Sequence, residues 1–466
     1  MALIKSISGI RGTIGGMPGN GLTPVDVVRF TTSYGAWLSA RGKGNKVVIG
    51  RDGRISGEIV RNLVAATLQS LGFDVIDLGL STTPTVEIAV IGEGAAGGII
   101  LTASHNPKEW NALKLLNEAG EFISGEDGAW ILAHAEKGEA AYVDVNKLGS
   151  LSYNNAYLQK HIDLLRSHPL VDVAAIRSRN FRIVVDAINS TGALFVPPLL
   201  EALGVAEVVV INEEVNGRFA HNPEPLPEHL TELSKAVEKG GAHLGIAVDP
   251  DVDRLCFICE DGSAFGEEYT LVAVADYILS NKKGGNTVSN MSSTRALRDV
   301  TEKWGGTYTP SAVGEVNVVR KMKDTEAAIG GEGNGGIIVP ELHYGRDALA
   351  GIALFLTHLA KFGKSIKALR RSYPDYYISK NKIDLSEGMD VKGILAAIEK
   401  KYAKQPINTE DGLKIEWDKD WVHLRTSNTE PIIRIYAEST SETTAANIAK
   451  RIIADIKEVM MERAAG

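Results

Sequence analysis

One unit of apolar strand, polar turn, amphipathic helix, glycine and second strand recurs along the chain. Its first copy predicts a strand over 46–50, a turn at 51–54, a helix over 56–71 and a strand over 73–78. Apolar residues recur at helical spacing in that helix, namely Ile59, Leu63, Val64, Leu68 and Leu71. Gly72 is a suitable helix end. The pattern is typical of a βαβ unit in a mixed or mainly parallel sheet.

The unit returns twice. The second copy predicts a strand over 181–186, a helix over 192–203 and a strand over 207–211. The third predicts a strand over 286–291, a helix over 295–303 and a strand from 307. Three copies indicate three similar α/β domains with mixed sheets.

The C-terminal segment has a different pattern. It predicts a helix near 391–402, strands around 413–417, 421–425 and 432–436, and a long helix from Ser441. This is typical of a smaller α+β domain. A chain of 466 residues is also too long for one core, since domains hold roughly 100–150 residues each. From the polar connecting stretches we expect four domains over 1–152, 153–256, 257–375 and 376–466.

Composition narrows the class of function. The chain is 44% hydrophobic and 23% charged, which is ordinary for a globular protein. Its net charge of −8 argues against a nucleic-acid binder, although clustered arginines could still attract an anionic substrate. We expect no membrane partner and a cytoplasmic location, because no spanning apolar run, signal-peptide pattern or set of paired cysteines is present. Cys256 and Cys259 lie within one strand, which argues against a zinc site.

Three aspartates at alternate positions, Asp249, Asp251 and Asp253, lie in a loop between two apolar strands. Carboxylates are ligands of Mg²⁺ and Ca²⁺, and three so close would repel one another without a cation. An EF-hand is excluded because its sixth position, Arg254, is not glycine. A solvated acidic turn is the alternative. Because Mg²⁺ takes few protein carboxylates, a phosphate or water oxygen should complete its ligands.

Ser104 lies in the turn Thr102–Pro107, directly after an apolar strand. We expect it to be exposed and available to a ligand, although Ser, Asn and Pro are also common turn formers. Arg11 lies between glycines in the segment 6–12 and could bind a phosphate. A surface arginine in a loop is the alternative.

A glycine-rich run, 330–336, contains Glu332 and Asn334, whose side chains suit sugar hydroxyls. The alternative is a flexible loop, but the apolar 337–339 that follows predicts an anchoring strand. Near the C-terminus, the turn 425–431 and Arg434 offer guanidinium groups, hydroxyls and backbone amides to a phosphate. A capped polar hairpin is the alternative there.

In this order, the serine, aspartate, sugar and phosphate segments resemble the α-D-phosphohexomutases, which comprise phosphoglucomutases, phosphomannomutases and phosphoglucosamine mutases. The resemblance covers nearly the whole chain and implies four domains around a central cleft, Mg²⁺ as cofactor and a hexose 1,6-bisphosphate as activator. The implied partner is a small sugar phosphate, and the protein would be a monomer or homodimer. The implied reaction moves phosphate between C6 and C1 of a hexose through phosphoserine. Glucosamine 6-phosphate is the favoured substrate, and glucose or mannose phosphates are the alternative.

The resemblance also implies roles for single residues. Ser104 would carry the phosphate and, with the three aspartates, hold Mg²⁺. Lys114, His105 and Arg11 would be candidates for acid–base catalysis. The residues implied to bind substrate are Arg254, Gly314, Glu332, Asn334, Arg425, Ser427, Asn428, Thr429 and Arg434.

Four positions depart from the family's motifs: Asn334 replaces Ser, Gly336 stands where several members have His, and Asn428 and Ala112 each replace Gly. None removes a charged group, so we expect the protein to be active. The two changes in the sugar segment leave open which sugar is the substrate. A serine hydrolase using Ser104 and His105 is disfavoured because the Gly-x-Ser-x-Gly motif is absent. An inactive sugar-phosphate binding protein is disfavoured because the serine, the aspartates and Lys114 are all present.

Overall fold

The computed structural model describes residues 2–6, 9–385, 389–426 and 432–465. A seven-stranded sheet of order β1-β2-β6-β5-β3-β4-β7 forms the first domain. Its elements are β1 (Leu3–Ser6), β2 (Gly9–Thr13), α1 (Pro24–Arg41), β3 (Lys46–Arg51), α2 (Gly57–Ser70), β4 (Asp74–Leu80), α3 (Thr83–Gly92), β5 (Gly97–Leu101), β6 (Trp110–Leu116), α4 (Gly125–Lys137) and β7 (Leu151–Tyr153).

Helix α1 begins at a sequence typical of a helix start. Thr23 caps it, Pro24 occupies the first turn, and Asp26 closes a capping box with Thr23. In α2 the buried face consists of Val60, Val64, Ala65 and Leu68. The predicted core residue Ile59 is instead 64% exposed, because Val60 points to the sheet in its place.

The second domain holds a four-stranded sheet of order β11-β10-β8-β9. Its elements are α5 (Tyr157–Ser167), α6 (Val173–Ser178), β8 (Arg182–Asp186), α7 (Gly192–Ala202), β9 (Glu207–Ile211), α8 (Thr231–Gly240), β10 (Leu244–Val248) and β11 (Leu255–Cys259).

The third domain holds a sheet of order β13-β12-β14-β15. Its elements are α9 (Glu267–Asn281), β12 (Thr287–Asn290), α10 (Ala296–Lys303), β13 (Tyr308–Ser311), α11 (Glu315–Asp324), β14 (Ile329–Glu332), β15 (Gly336–Ile338), α12 (Ala348–Phe362) and α13 (Ile366–Arg370). Its core continues into that of the second domain, where the rings of Phe257 and Phe355 stack 3.8 Å apart.

The C-terminal domain is a five-stranded antiparallel sheet of order β16-β20-β19-β18-β17. Its elements are β16 (Tyr377–Asp384), α14 (Val391–Lys401), β17 (Ile407–Asn408), β18 (Leu413–Glu416), β19 (Trp421–Thr426), β20 (Ile432–Ser439) and α15 (Glu442–Ala465). This confirms the predicted α+β domain without the repeated unit.

The first three sheets share one four-strand pattern. The shared orders are β6-β5-β3-β4, β11-β10-β8-β9 and β15-β14-β12-β13. In each, the first three strands along the chain are parallel and the fourth is antiparallel. The prediction of three similar α/β domains with mixed sheets is therefore confirmed.

Two expected domain limits fall inside strands. The limit after residue 152 cuts β7, which pairs with β4, and the limit after Cys256 cuts β11, which pairs with β10 along its length. Both sheets therefore extend slightly further than expected, to Tyr153 and Cys259. Among the described residues, no helix is long and apolar enough to cross a membrane.

Candidate active site

The connection between the third and fourth strands of each shared unit leads to one central cleft. These connections contain Ser104, the three aspartates and Asn334 respectively. Carboxyl ends of parallel strands commonly hold ligand sites, because the loops there meet at one edge of the sheet. The cleft has a volume of about 1310 Å³. The expected site residues that line it are Arg11, Ser104, His105, Lys114, Arg254, Gly314, Glu332, Asn334, Arg425 and Arg434.

Ser104 is held tightly at the wall of the cleft. Its backbone adopts a left-handed conformation with φ of 49°, which is strained for a residue with a side chain. Its amide donates to Thr102 Oγ1 at 3.0 Å, and its hydroxyl donates to Asp249 Oδ2 at 2.8 Å. The expectation of an exposed serine is wrong, since Ser104 is only 6% exposed: its hydroxyl turns towards the aspartate loop.

Arg54 organises the serine turn, and the sequence analysis missed it. This buried guanidinium donates to four backbone carbonyls of the turn and of β6, those of Ser104, Asn106, Pro107 and Trp110. The only sequence signal was an arginine in a turn beside a strand end. Four carbonyls held by one side chain explain how the strained turn keeps its shape.

The three aspartates lie behind the cleft wall and are fully buried. One oxygen from each lies within 4.8 Å of the others. Asp251 Oδ1 and Asp253 Oδ1 are buried and accept no hydrogen bond from any described residue. Buried carboxylate oxygens without donors are costly. Three hard oxygen donors in this arrangement therefore fit a divalent cation such as Mg²⁺.

The aspartate loop is fixed from two sides. Val252 has a φ of 60°, which is rare for a β-branched residue. Thr83, at the start of α3, donates its amide to the Asp251 carbonyl at 2.9 Å and its hydroxyl to Asp251 Oδ2 at 2.6 Å. Asp249 Oδ1 accepts from two backbone amides that follow it, both at 3.1 Å. The first and second domains therefore meet at this loop.

Charges around the loop determine its protonation. Burial, and then Asp253 and Asp251, raise the pKa of Asp249 well above its ordinary value. Burial acts in the same direction on Asp253, but Arg346 and Lys114 hold the pKa of that carboxyl below its ordinary value. Lys114 Nζ lies 2.6 Å from Asp251 and 3.4 Å from Asp253. Burial lowers the pKa of Lys114, but the two aspartates outweigh it and raise the pKa overall.

Several cations lie near Ser104, and one of them, Arg254, has its Nε 3.9 Å from Asp249 Oδ2. Arg254, followed by burial and Arg11, holds the pKa of His105 well below its ordinary value, so this imidazole is neutral at pH 7. Burial and then Arg254 lower the pKa of Arg11. Arg254 Nη1 pairs with Glu224 at 2.9 Å. A bound phosphate would relieve the repulsion among these cations.

The expected glycine-rich loop is a tight hairpin. Residues Gly330 and Gly331 belong to β14 and Gly336 to β15, which leaves only 333–335 as the turn. Both carboxylate oxygens of Glu332 are held by hydrogen bonds. Oε1 accepts from Asn290 Nδ2 at 2.9 Å and from the Gly314 amide at 3.1 Å, and Oε2 accepts from Arg346 Nη1 at 3.0 Å.

The C-terminal domain presents a row of cations. Arg425 on β19 and Arg434 on β20 are directly opposite each other, and Lys382 on β16 is opposite Arg434. Like charges in such positions destabilise a sheet, so the row favours an anion. Arg425 Nε also lies 2.9 Å from Asp411. The expected residues Ser427, Asn428 and Thr429 lie outside the described part of the chain.

Three repeated α/β units and an antiparallel C-terminal domain around one polar cleft define a four-domain α/β enzyme. The chain belongs to the phosphoglucomutase/phosphomannomutase family. Its alpha/beta/alpha domain I matches residues 3–142, domain II 159–262, domain III 266–377 and the C-terminal domain 382–455. The protein is therefore a mutase.

Named relatives cover almost the full length. The chain is 37% identical to a phosphoglucomutase/phosphomannomutase of Thermococcus kodakarensis, over 93% of this chain and 95% of the relative. It is 31% identical to a probable phosphoglucosamine mutase of Methanopyrus kandleri, over 97% and 98%. A crystal structure of a phosphoglucomutase/phosphomannomutase family protein from Burkholderia thailandensis superposes with a TM-score of 0.84 at 25% identity, covering 98% of each chain.

Proposed function

We propose that this mutase interconverts hexose 6-phosphate and hexose 1-phosphate, with Ser104 carrying the phosphoryl group between turnovers. The observation that carries the proposal is the 2.8 Å hydrogen bond from Ser104 Oγ to Asp249. It places a serine hydroxyl of the cleft wall against a cluster of carboxylates suited to a cation. Phosphoryl transfer depends mainly on positioning and on neutralising charge, and both are provided here.

The reaction has two transfers. The Oγ–P bond of phosphorylated Ser104 breaks while a new O–P bond forms to the free sugar hydroxyl, which gives a bound hexose 1,6-bisphosphate. The hydroxyl proton passes to a base of the cleft. After the bisphosphate turns round, Ser104 takes the other phosphate and a proton returns to the sugar oxygen. A free hexose 1,6-bisphosphate would phosphorylate Ser104 and so act as activator.

The aspartates Asp249, Asp251 and Asp253, together with the serine oxygen, would hold Mg²⁺. That ion would supply positive charge for the phosphoryl oxygens. Lys114, His105 and Arg11 line the cleft near Ser104 and would be the candidates for acid–base catalysis. Arg11 and Arg254 would bind the phosphate near Ser104.

The opposite end of the substrate would lie against the C-terminal domain. Arg425 and Arg434 face each other across two strands and would bind the phosphate that is not being transferred. Ser427, Asn428 and Thr429 would join them. Glu332, Asn334 and Gly314 would contact the sugar between the two phosphates. Holding both ends allows the bisphosphate to react in either orientation.

We propose glucosamine 6-phosphate as the preferred substrate because of Glu268. In the described part of the chain, four carboxylates line the cleft. Glu224 pairs with Arg254, while Glu315 and Glu332 pair with Arg346. Among the described residues, Glu268 has no cation within 4.0 Å, and burial raises its pKa to about 8. It lies directly beneath the sugar hairpin, where a Cβ on Gly333 would meet its carboxylate. The positive charge of Lys380 acts on this carboxyl only from beyond 4.0 Å, so an amino sugar would supply a cation in direct contact.

Glucose and mannose phosphates are the alternative substrates, and the Thermococcus relative named for them has the highest of the identities quoted above. The test compares kcat/KM for glucosamine 6-phosphate, glucose 1-phosphate and mannose 1-phosphate. In Glu268→Gln, the value for the amino sugar should fall about tenfold while the others change little, since charged hydrogen bonds contribute about 1.5–3 kcal/mol. Glu238→Gln, on an exposed face of α8, is the control. An equal fall in kcat/KM for all three sugars would contradict the proposal that Glu268 binds the amino group of the substrate.

Phosphorylation is tested separately by intact mass. Protein treated with glucose 1,6-bisphosphate should gain one phosphoryl group, and Ser104→Ala should neither gain it nor turn over. Ser263→Ala, in an exposed turn, should behave as the parent. Full activity of Ser104→Ala under bisphosphate priming would refute the proposal.

A further inference from the structure

One buried guanidinium touches three separate walls of the cleft. Arg346 Nη2 donates to Asp253 Oδ2 at 2.8 Å, Nη1 to Glu332 Oε2 at 3.0 Å, and Nε to Glu315 Oε2 at 2.9 Å. Asp253 belongs to the aspartate loop, Glu332 to the sugar hairpin, and Glu315 to the first turn of α11. Arg346 is therefore the direct link between the loop that faces Ser104 and the hairpin expected to contact the sugar.

The guanidinium itself is fixed in orientation. Glu315 holds the residue at two points: Oε2 accepts from the guanidinium Nε, and Oε1 accepts the Arg346 backbone amide at 3.2 Å. The guanidinium group is planar, with donors in a rigid fork. Because one edge is fixed by Glu315, the remaining nitrogens determine where the carboxylates of Asp253 and Glu332 lie relative to each other. A lysine offers one ammonium and cannot bridge three carboxylates in this way.

Room for this arrangement comes from Gly336. A Cβ built on Gly336 would lie 2.3 Å from Arg346 Cδ, a distance that real Cβ atoms essentially never show. Gly336 is not among the residues with positive φ, so its backbone does not require glycine. The absence of a side chain at this position of the hairpin therefore provides space for the Arg346 stem, and the two residues act together.

We propose that Arg346, accommodated by Gly336, is a positioning residue that fixes Glu332 relative to the aspartate loop and thereby sets which configuration of ring hydroxyls the cleft accepts. This rests on the proposed function of Glu332 as a sugar contact. Glu332 has both oxygens held, so its remaining lone pairs point in fixed directions. A hydroxyl of the wrong configuration would miss them. Without Arg346, Oε2 of Glu332 would keep only a 3.5 Å hydrogen bond from Asn334 Nδ2, so this oxygen could move to meet either configuration.

The test measures sugar discrimination by binding, in the background Ser104→Ala so that no transfer occurs. Calorimetry compares glucose 6-phosphate with galactose 6-phosphate, which differ in the configuration of one ring hydroxyl. The parent should bind the glucose compound more tightly. Arg346→Lys should reduce that ratio by about tenfold, as expected for losing an oriented hydrogen bond to a charged group. Gly336→Ala should act in the same direction because its methyl group displaces the arginine.

A role in folding alone would behave differently. It would reduce the amount of folded protein, which thermal unfolding detects, but leave the ratio of the two affinities unchanged. In active enzyme, the ratio of kcat/KM for the matching 1-phosphates should fall with the binding ratio. The controls are Arg41→Lys, which alters an exposed pair with Glu118, and Gly240→Ala, where nothing lies within 4 Å of the new methyl group.

The outcomes separate this proposal from the general function. If the Ser104→Ala parent binds neither sugar phosphate, both the proposed function and this proposal fail. If the parent binds both sugars equally, or if folded Arg346→Lys and Gly336→Ala keep the parental ratio, the positioning role of Arg346 fails while the mutase assignment stands. A reduced ratio in both variants, with unchanged controls, supports it.

Discussion

Arg54 Nε lies 3.0 Å from Asp52 Oδ2, and neither side chain is exposed to solvent. Asp52 also accepts the hydroxyl of Thr102 at 2.6 Å, and Thr102 Oγ1 accepts the amide of Ser104. The buried pair therefore supports the serine turn from below, while the rest of the guanidinium binds the carbonyls above it. Two charged residues directly after β3 thus determine the shape of a turn some fifty positions away.

Arg54→Met should destabilise the protein and impair catalysis. Removing one partner of a buried ion pair costs about 3–5 kcal/mol because the other charge stays buried. The serine turn would also lose its donors, so kcat should fall at least about a hundredfold, a size typical of lost positioning. Urea unfolding and steady-state kinetics measure the two effects.

The double variant Arg54→Met/Asp52→Asn separates them. It removes the unpaired charge and should recover part of the stability, but the carbonyls of the turn still have no donor, so kcat should stay low. If Arg54→Met keeps wild-type kcat, the turn does not depend on this arginine.

Asp249→Asn should stabilise the metal-free protein. Burial and the neighbouring aspartates raise the pKa of Asp249 above its value in the unfolded chain. At pH 7 this carboxyl is ionised in the unfolded chain, and burying it in the folded protein lowers the free energy of unfolding. Asparagine keeps the Oδ1 acceptor for two backbone amides without the charge. In chelator, the thermal midpoint of the variant should therefore equal or exceed that of wild type.

The response to Mg²⁺ should be the reverse. A ligand that binds only the folded state at a hundred times its dissociation constant adds about 2.7 kcal/mol, so wild type should gain stability with Mg²⁺ and Asp249→Asn should gain far less. Asp163→Asn, exposed on α5, should respond like wild type. A variant that is less stable in chelator, yet responds fully to Mg²⁺, would contradict the assignment of Asp249.

Local features of this fold could be predicted, because they depend on neighbouring residues. The cap of α1 at Thr23 and the strands Glu207–Ile211 and Leu255–Cys259 follow from turn chemistry and apolar runs. The error at Ile59 is also local: consecutive apolar residues, Ile59 and Val60, offer two phases of the helix, and only packing against the sheet selects one.

Long-range contacts could not be predicted in the same way. Ser104 is buried because its hydroxyl turns towards Asp249. That partner lies 145 positions away along the chain, and no local pattern specifies the pairing. Arg54 and Arg346 look like arginines in ordinary turns, and their importance depends on carbonyls and carboxylates brought to them by other loops. The motifs identified the cleft, whereas the side chains that hold its loops together emerge only from the structure.

Arg425→Gln should weaken substrate binding more than it slows chemistry. The arginine is opposite Arg434 and is proposed to bind the phosphate that does not react, so KM should rise about tenfold to a hundredfold, the range of one charged hydrogen bond, with a smaller change in kcat. Inorganic phosphate should raise the thermal midpoint of wild type more than that of the variant. Arg451→Gln, exposed on α15, provides the comparison, and an unchanged KM would argue against a phosphate site here.

Lys414 is buried where the third and C-terminal domains meet. It should make the free energy of unfolding depend on pH. Its ammonium donates to the Met291 carbonyl at 2.8 Å and is 3% exposed. Burial lowers its pKa from 10.5 to about 8, although Glu416 and Glu438 oppose the shift. Because the folded pKa is the lower one, the unfolded chain binds more protons between pH 8 and 10.5, and the cost of burying the charge disappears as pH rises through that range.

Lys414→Met should therefore be more stable than wild type at pH 7, and its advantage should shrink towards pH 10. The difference between a pKa of 10.5 and one of about 8 corresponds to about 3 kcal/mol at most, and the lost hydrogen bond to Met291 reduces the gain by about 1 kcal/mol. Urea unfolding at pH 7, 8.5 and 10 measures the difference, and comparing the variants cancels other titrating groups. A difference that stays constant, or grows with pH, would mean that Lys414 is not buried as a costly cation, since only loss of its proton from the folded state removes that cost.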